Sequence, residues 1–347
     1  MQTLAVKSLE RQANKVRIDW IDMAKGWGII CVIIGHMIQG TFIDNWIYSF
    51  HMPLFFLISG YVFSTKYNFL EFVKRKVKSI LVPYFCLGVV IVLFRNLYSV
   101  QGEISLKNIF THIIRLIIQR RNYSLWYLTV LFIINIALYI IVKLLKTETK
   151  IAICVFLISI IGNIYYYFFD NLILPWNADA CLIAILFFFA GYFYKNHNEQ
   201  IDGFMNKKIP TIISIILLFA INIIFNYLTQ KISGKGLEMF RCSYGFVPFT
   251  YISAFAGIFF IIYVSKLITI KPVKYIGENS LLYFAWHQSI GIPLATDILT
   301  KLLNFNLNGN KIITIMYLLL EFSIIIVMMT IFNIIISKTK LKFMLGK

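Results

Sequence analysis

The chain has 347 residues, 59% of them hydrophobic and 14% charged, with a mean hydropathy of +0.78 and a formal net charge of +18. Soluble domains hold roughly 45–50% apolar and 25% charged residues, so this composition excludes a water-soluble globular enzyme and predicts an all-α, polytopic integral membrane protein. With the N-terminus set in the cytoplasm, 23 of the 33 Lys and Arg fall on the inner side. That positive-inside pattern puts both termini in the cytoplasm and accounts for the charge without nucleic acid as a partner.

Residues 1–16 read as a polar, basic cytoplasmic segment. A single transmembrane domain is expected over 17–340, with a cytoplasmic tail at 341–347. No small-residue cleavage pattern follows the first apolar core, which reads as a retained helix. A bilayer core takes about 20 apolar residues per helix, and about ten such segments follow: 26–40 (beginning nearer Trp20), 47–65, 79–97, 125–143, 151–169, 178–194, 209–228, 246–267, 280–299 and 312–337. Two outer loops stand out. Loop 98–123 spaces Ile109, Ile113, Leu116 and Ile117 among Lys107, Arg115, Arg120 and Arg121, as an amphipathic helix lying on the outer surface would; it is either an interfacial anchor or a platform for an acceptor. Loop 229–245 holds Gly234, Gly236 and Gly245 and reads as a flexible or turning segment.

Ionisable residues inside apolar spans are the informative ones, because burying them in a membrane is costly. Lys25 and His36 share one face of the first helix, roughly 16 Å apart along its axis. His51 mirrors His36 across the turn that follows, so an antiparallel pair would bring both imidazoles to one depth in the outer half, leaving Lys25 near the cytoplasm. A neutral imidazole can take a proton from a hydroxyl and return it within one cycle. Asp22, one turn before Lys25, is placed to pair with it. Lys74, Arg75, Lys76 and Lys78 form a cationic run suited to phosphates or to lipid headgroups. Asp179 opens the sixth segment, where a helix N-terminus favours a carboxylate, and Trp126 could stack on a sugar or sit in an interfacial belt. His287 and Glu321 lie at matching distances from a loop midpoint near Asn304, which makes a contact between them plausible. The five cysteines show no metal or disulfide spacing. Hydrolase, zinc and phosphate-loop signatures are missing, so no metal is expected.

Several runs resemble one family. Ile21-Asp22-Met23-Ala24-Lys25-Gly26, then His36, then Phe50-His51-Met52-Pro53-Leu54-Phe55-Phe56-Leu57-Ile58-Ser59-Gly60-Tyr61 are similar to the acyltransferase-3 membrane family, particularly its fucose 4-O-acetylase-like branch. Arg75-Lys76-Val77-Lys78 with Pro83-Tyr84, the stretch 187–192 with Gly191, and Gly277 through Ser280 and Tyr283 to His287 resemble further segments of it. The resemblance implies ten helices in a bacterial cytoplasmic membrane, no bound cofactor, acetyl-CoA as donor, and transfer of acetyl to a hydroxyl of an extracytoplasmic or lipid-linked saccharide. It makes His36 the general base, with His51 as second catalytic candidate. Lys25, Arg75 and Lys78 become candidates for the CoA phosphates, and Asp22, Trp126, Asp179, His287 and Glu321 for the substrate. Lys25 and Lys78 stand where the family has arginine; charge is kept and the planar bidentate fork is lost. A glycan transporter or flippase is the rival reading, and oligomeric state is not legible.

Overall fold

In a computed structural model, residues 17–99, 106–121, 124–169, 173–203, 207–302 and 310–346 are described. The expected N-terminal segment 1–16, and residues 100–105 and 122–123 of the first outer loop, lie outside them. Helix forms at each of the ten apolar segments. The first helices are α1 (Asp19–Met37), a short α2 (Phe42–Tyr48), α3 (His51–Tyr61) and α4 (Phe69–Lys76), which runs through a π turn at Val77–Leu81 into α5 (Val82–Ser99). Next come α6 (Leu106–Ile118), α7 (Trp126–Leu145), α8 (Glu148–Phe168), α9 (Ala178–Asp202) and α10 (Lys208–Ser233). A hairpin of β1 (Leu237–Glu238) and β2 (Ser243–Tyr244) precedes α11 (Val247–Leu267), α12 (Lys271–Glu278), α13 (Ser280–Trp286), a π turn at His287–Gly291, α14 (Ile292–Asp297) and α15 (Lys311–Lys338).

Among the described residues seven helices, Phe69–Tyr98, Trp126–Leu145, Glu148–Phe168, Pro175–Asp202, Lys208–Ser233, Val247–Leu267 and Lys311–Lys338, are long and apolar enough to cross a bilayer. The protein is therefore an all-α polytopic membrane protein. Helices α8 and α10 turn Phe156, Ile161, Ile213 and Leu217 outward. Such side chains suit contact with lipid tails, which solvate apolar surface as well as a protein core does. The three apolar segments outside the seven are those that carry His36, His51 and His287. Helix α1 interrupts its apolar run with Asp22, Lys25 and His36, α3 has only 11 residues, and the ninth segment is broken by π turns at 287–291 and 298–302.

Helix α3 is the centre of the packing, with every residue buried except Ser59. Gly60 and Gly191 explain how it gets there. A Cβ on Gly60 would sit 1.8 Å from the Phe188 carbonyl oxygen, and one on Gly191 would sit 1.8 Å from that of Leu57. Two helices this close need a residue without a side chain on each surface. The same device seats α12 on α1, where a Cβ on Gly277 would sit 1.7 Å from the Asp22 carbonyl and one on Gly26 would sit 2.0 Å from that of Val273.

Three local expectations change. Helix α6 forms where the periodicity placed it, but its C-terminal end packs against the middle of α5: Leu116 fills the space over Gly88, and Tyr84 donates to the Leu116 carbonyl. Leu106, Phe110 and Ile117 face outward, so α6 is anchored to the bundle along one side and open along the other. Loop 229–245 is a built hairpin, entered through Gly234 in the left-handed region (φ +66°), where a helix ending on glycine avoids the Cβ clash. The C-terminal segment folds as a 3-10 turn over Lys340–Leu345, burying Met344 and Leu345 and setting Gly346 against Ser79 and Pro83.

Candidate active site

The break between α2 and α3 builds half of the site. Phe50 leaves the helical region, α3 restarts at His51, and Pro53 falls in the first turn, where its missing N–H has no partner to lose. At the break Phe50 N donates to the Ile47 carbonyl at 3.2 Å in a tightened last turn. His51 Nδ1 donates to the same carbonyl at 2.9 Å. A carbonyl can only accept, so Nδ1 carries the proton and Nε2 holds a lone pair in the neutral ring.

A second helix defect does the same for His287. At the π turn that begins there, His287 Nδ1 lies 2.9 Å from the carbonyls of both Tyr283 and Phe284, the first of which also accepts from His287 N. Its Nε2 is buried without a hydrogen-bond partner. The His287 ring lies 5.1 Å from that of His36, and the Tyr48 ring stands 6.0 Å from His36 and 4.9 Å from His51. Tyr48 Oη is 3.4 Å from His36 Nδ1. Three of the five histidines thus gather at the end of α1 far from Lys25, His36 and His51 against Tyr48 and His287 against His36.

His36, Tyr48 and His51 line a cavity of about 290 Å³, walled also by Ser124, Trp126, Phe284 and Gln288 and, from the β1–β2 hairpin, Glu238 to Arg241. Ser124 Oγ donates to the Ala285 carbonyl at 3.0 Å, tying the start of α7 to α13. The cavity is concave, has aromatic walls, and is furnished with a few polar groups, as small-ligand sites are. Of the expected residues, His36, His51 and Trp126 line it, and His287 stands behind His36.

Others lie elsewhere. Asp22 and Lys25 are near the opposite end of α1, with Asp22 roughly 21 Å below His36. The expected pair forms at 3.5 Å, and Arg17 approaches the same carboxylate at 3.4 Å. Asp22 is therefore part of an ion-pair network remote from the cavity. Arg75 belongs to that end too, since Trp20 of α1 packs on Tyr61 and Phe63 packs on Phe72 of α4. Its guanidinium is held by Glu71 through Nε at 3.0 Å and Nη2 at 2.7 Å, and lies 3.9 Å over the Tyr67 ring. Lys78 is exposed in the π turn after α4.

Asp179 is buried and ties three segments together. It pairs with Arg121, accepts from Leu174 N at 3.3 Å, and receives the Cys242 thiol at 3.0 Å. The expected His287–Glu321 contact does not form: His287 Nδ1 is held by carbonyls of its own helix with the ring against His36, and Glu321 accepts from Thr296 Oγ1 at 2.8 Å. The π turns explain the miss, since a wide turn shifts the face that later residues present and spoils depth matching by residue count. Sequence reasoning also passed over Tyr48, Asp44, Glu238 and Phe240. Tyr48 and Asp44 lie in the turn between the two mirrored histidines, but Glu238 carries no signal because the Asp44 and Tyr48 with which it shares the cavity are nearly 200 residues away.

A family model described as an acyltransferase domain matches residues 18–338. No curated protein matches the chain. The match takes in all three histidines, both glycine contacts and the hairpin, so the chain belongs to the acyltransferase-3 family and is a membrane acyltransferase.

Proposed function

We propose that the protein moves an acetyl group from cytoplasmic acetyl-CoA to a hydroxyl of an extracytoplasmic or lipid-linked saccharide in a bacterial cytoplasmic membrane. The observation that carries this reading is the histidine cluster, in which His36 and His51 line a cavity fit for a hydroxyl-bearing ligand and His287 packs against His36. His36 is the base. As the acceptor oxygen attacks the thioester carbonyl, His36 takes its proton; the C–S bond breaks, and the departing CoA thiolate is protonated in turn. His51, its tautomer set by Ile47, assists from the other wall. The chain crosses the bilayer ten times with both termini inside, which puts Lys25, Arg75 and Lys78 at the cytoplasmic end for the CoA phosphates. The acyl-bearing arm then threads the roughly 16 Å from Lys25 to His36. Arg75 must exchange Glu71 for phosphate when CoA binds. The resemblance to the fucose-type branch makes a deoxyhexose glycoside the first acceptor to try.

The test is thiol release from acetyl-CoA by purified protein with saccharide acceptors, comparing wild type with His36→Ala. Acceptor-dependent release that falls at least ~100-fold in the variant is expected, with unchanged thermal unfolding. Full turnover by the variant removes His36 from the mechanism, and no release by the wild-type protein favours transport.

A further inference from the structure

The mouth of the histidine cavity carries charge that the chemistry above does not use. Asp44 is buried at 8% exposure, with Oδ2 accepting from Gly40 N at 2.6 Å. Glu238 faces the same space from β1 and is fixed by the pairing of that strand with Ser243. Burial raises the Glu238 carboxyl above the ordinary carboxylate range; Arg241 opposes the shift and Asp44 adds to it, as expected of two carboxylates sharing one cavity. Arg241 is the cation of this mouth. Its Nε lies 3.2 Å from Glu238 Oε1, but its side chain is 74% exposed, so solvent screens it. Two carboxylates against one screened guanidinium leave the entrance negative. The same cavity is lined by Trp126 and Phe240, ring centroids 6.0 Å apart, and by the amides of Gln39, Asn45 and Gln288. Aromatic faces, amides and carboxylate acceptors match the C–H faces and hydroxyls of a sugar ring.

We infer that Asp44 and Glu238 are specificity-determining residues that admit an uncharged glycosyl unit and reject one bearing a carboxylate or phosphate beside the reacting hydroxyl. This rests on the cavity being the acceptor site of the proposed acetyl transfer. Asp44 also closes a capping turn, since Thr41 Oγ1 accepts from Asp44 N. Asparagine at this position keeps an oxygen for Gly40 N and removes only the charge.

The full-length protein is assayed for thiol release from acetyl-CoA with matched acceptors that differ only at C6, such as methyl glucoside against methyl glucuronide, and the galactose and mannose pairs. The neutral member should be preferred by roughly tenfold or more in kcat/KM. The double variant Asp44→Asn, Glu238→Gln should shrink the preference, and Glu238→Lys should shift it toward the uronide. Equal use of both members, or a preference unmoved by Glu238→Lys, overturns this inference and leaves acetyl transfer standing. No acceptor-dependent release with any pair overturns the acetyl-transfer reading and this inference together.

Discussion

Replacing Gly191 with alanine adds one carbon and is expected to disturb both stability and catalysis. The new Cβ would sit 1.8 Å from the Leu57 carbonyl oxygen and 2.8 Å from Tyr61 N. Both are backbone atoms of α3, so no side chain can swing away to make room. Helices α3 and α9 must separate by more than ~1 Å, which loosens a close-packed contact along its length. Overpacking typically destabilises by 1–3 kcal/mol, and a backbone clash belongs at the upper end, about 3 kcal/mol. Helix α3 also carries His51, so the displacement reaches the cavity. Thermal unfolding in detergent and acceptor-dependent thiol release should both fall for Gly191→Ala. Gly203→Ala, a position whose Cβ would meet nothing within 4 Å, is the matched control. A Gly191→Ala protein as stable and as active as that control would refute the close-approach argument.

His51→Ala removes a Nε2 lone pair from the cavity and one of the two donors to the Ile47 carbonyl; kcat should drop by roughly 100-fold or more with about 1 kcal/mol lost in stability, read from steady-state kinetics and unfolding. Asp179→Asn leaves the Arg121 guanidinium, 12% exposed, without its counter-charge. A loss of about 3 kcal/mol in unfolding free energy is expected, and a variant that unfolds like wild type would contradict the role given to Asp179. Burial, with the Asp179 carboxylate adding to it, pushes the Cys242 thiol up to about 12. The reactive thiolate is therefore scarce at pH 8, and alkylation of Cys242 there should be at least ~100-fold slower than for an ordinary cysteine of pKa about 8.5. The rate should rise about tenfold per pH unit on the alkaline side; fast labelling at pH 8 would show the thiol to be open.

The histidine that most changed the site was the one least placed by its surroundings in sequence. His36 and His51 flank a single short turn, so an antiparallel hairpin sufficed to bring them together. His287 is separated from both by more than 200 residues, and residue counting sent it toward Glu321. What moved it is a π turn, which no hydropathy pattern displays and at which the ring lies against His36 with Nδ1 on the Tyr283 and Phe284 carbonyls. Motif glycines tell the converse story. Gly26, Gly60, Gly191 and Gly277 were noticed as parts of family runs, and the structure supplies the reason: each lies against a backbone carbonyl of another helix.

By itself the sequence determined the membrane class, the ten helical segments to within a few residues at most ends, and the polar residues worth attention. These depend on sums over consecutive residues, because transfer of a helix into lipid is governed by local composition. Tertiary structure alone decided which polar groups meet. It joined His287 to His36, set the β1–β2 hairpin with Glu238 over the cavity, and parted Glu321 from His287. Those outcomes turn on helix defects and on ångström-scale backbone contacts between distant segments, and neither leaves a trace in the run of apolar residues.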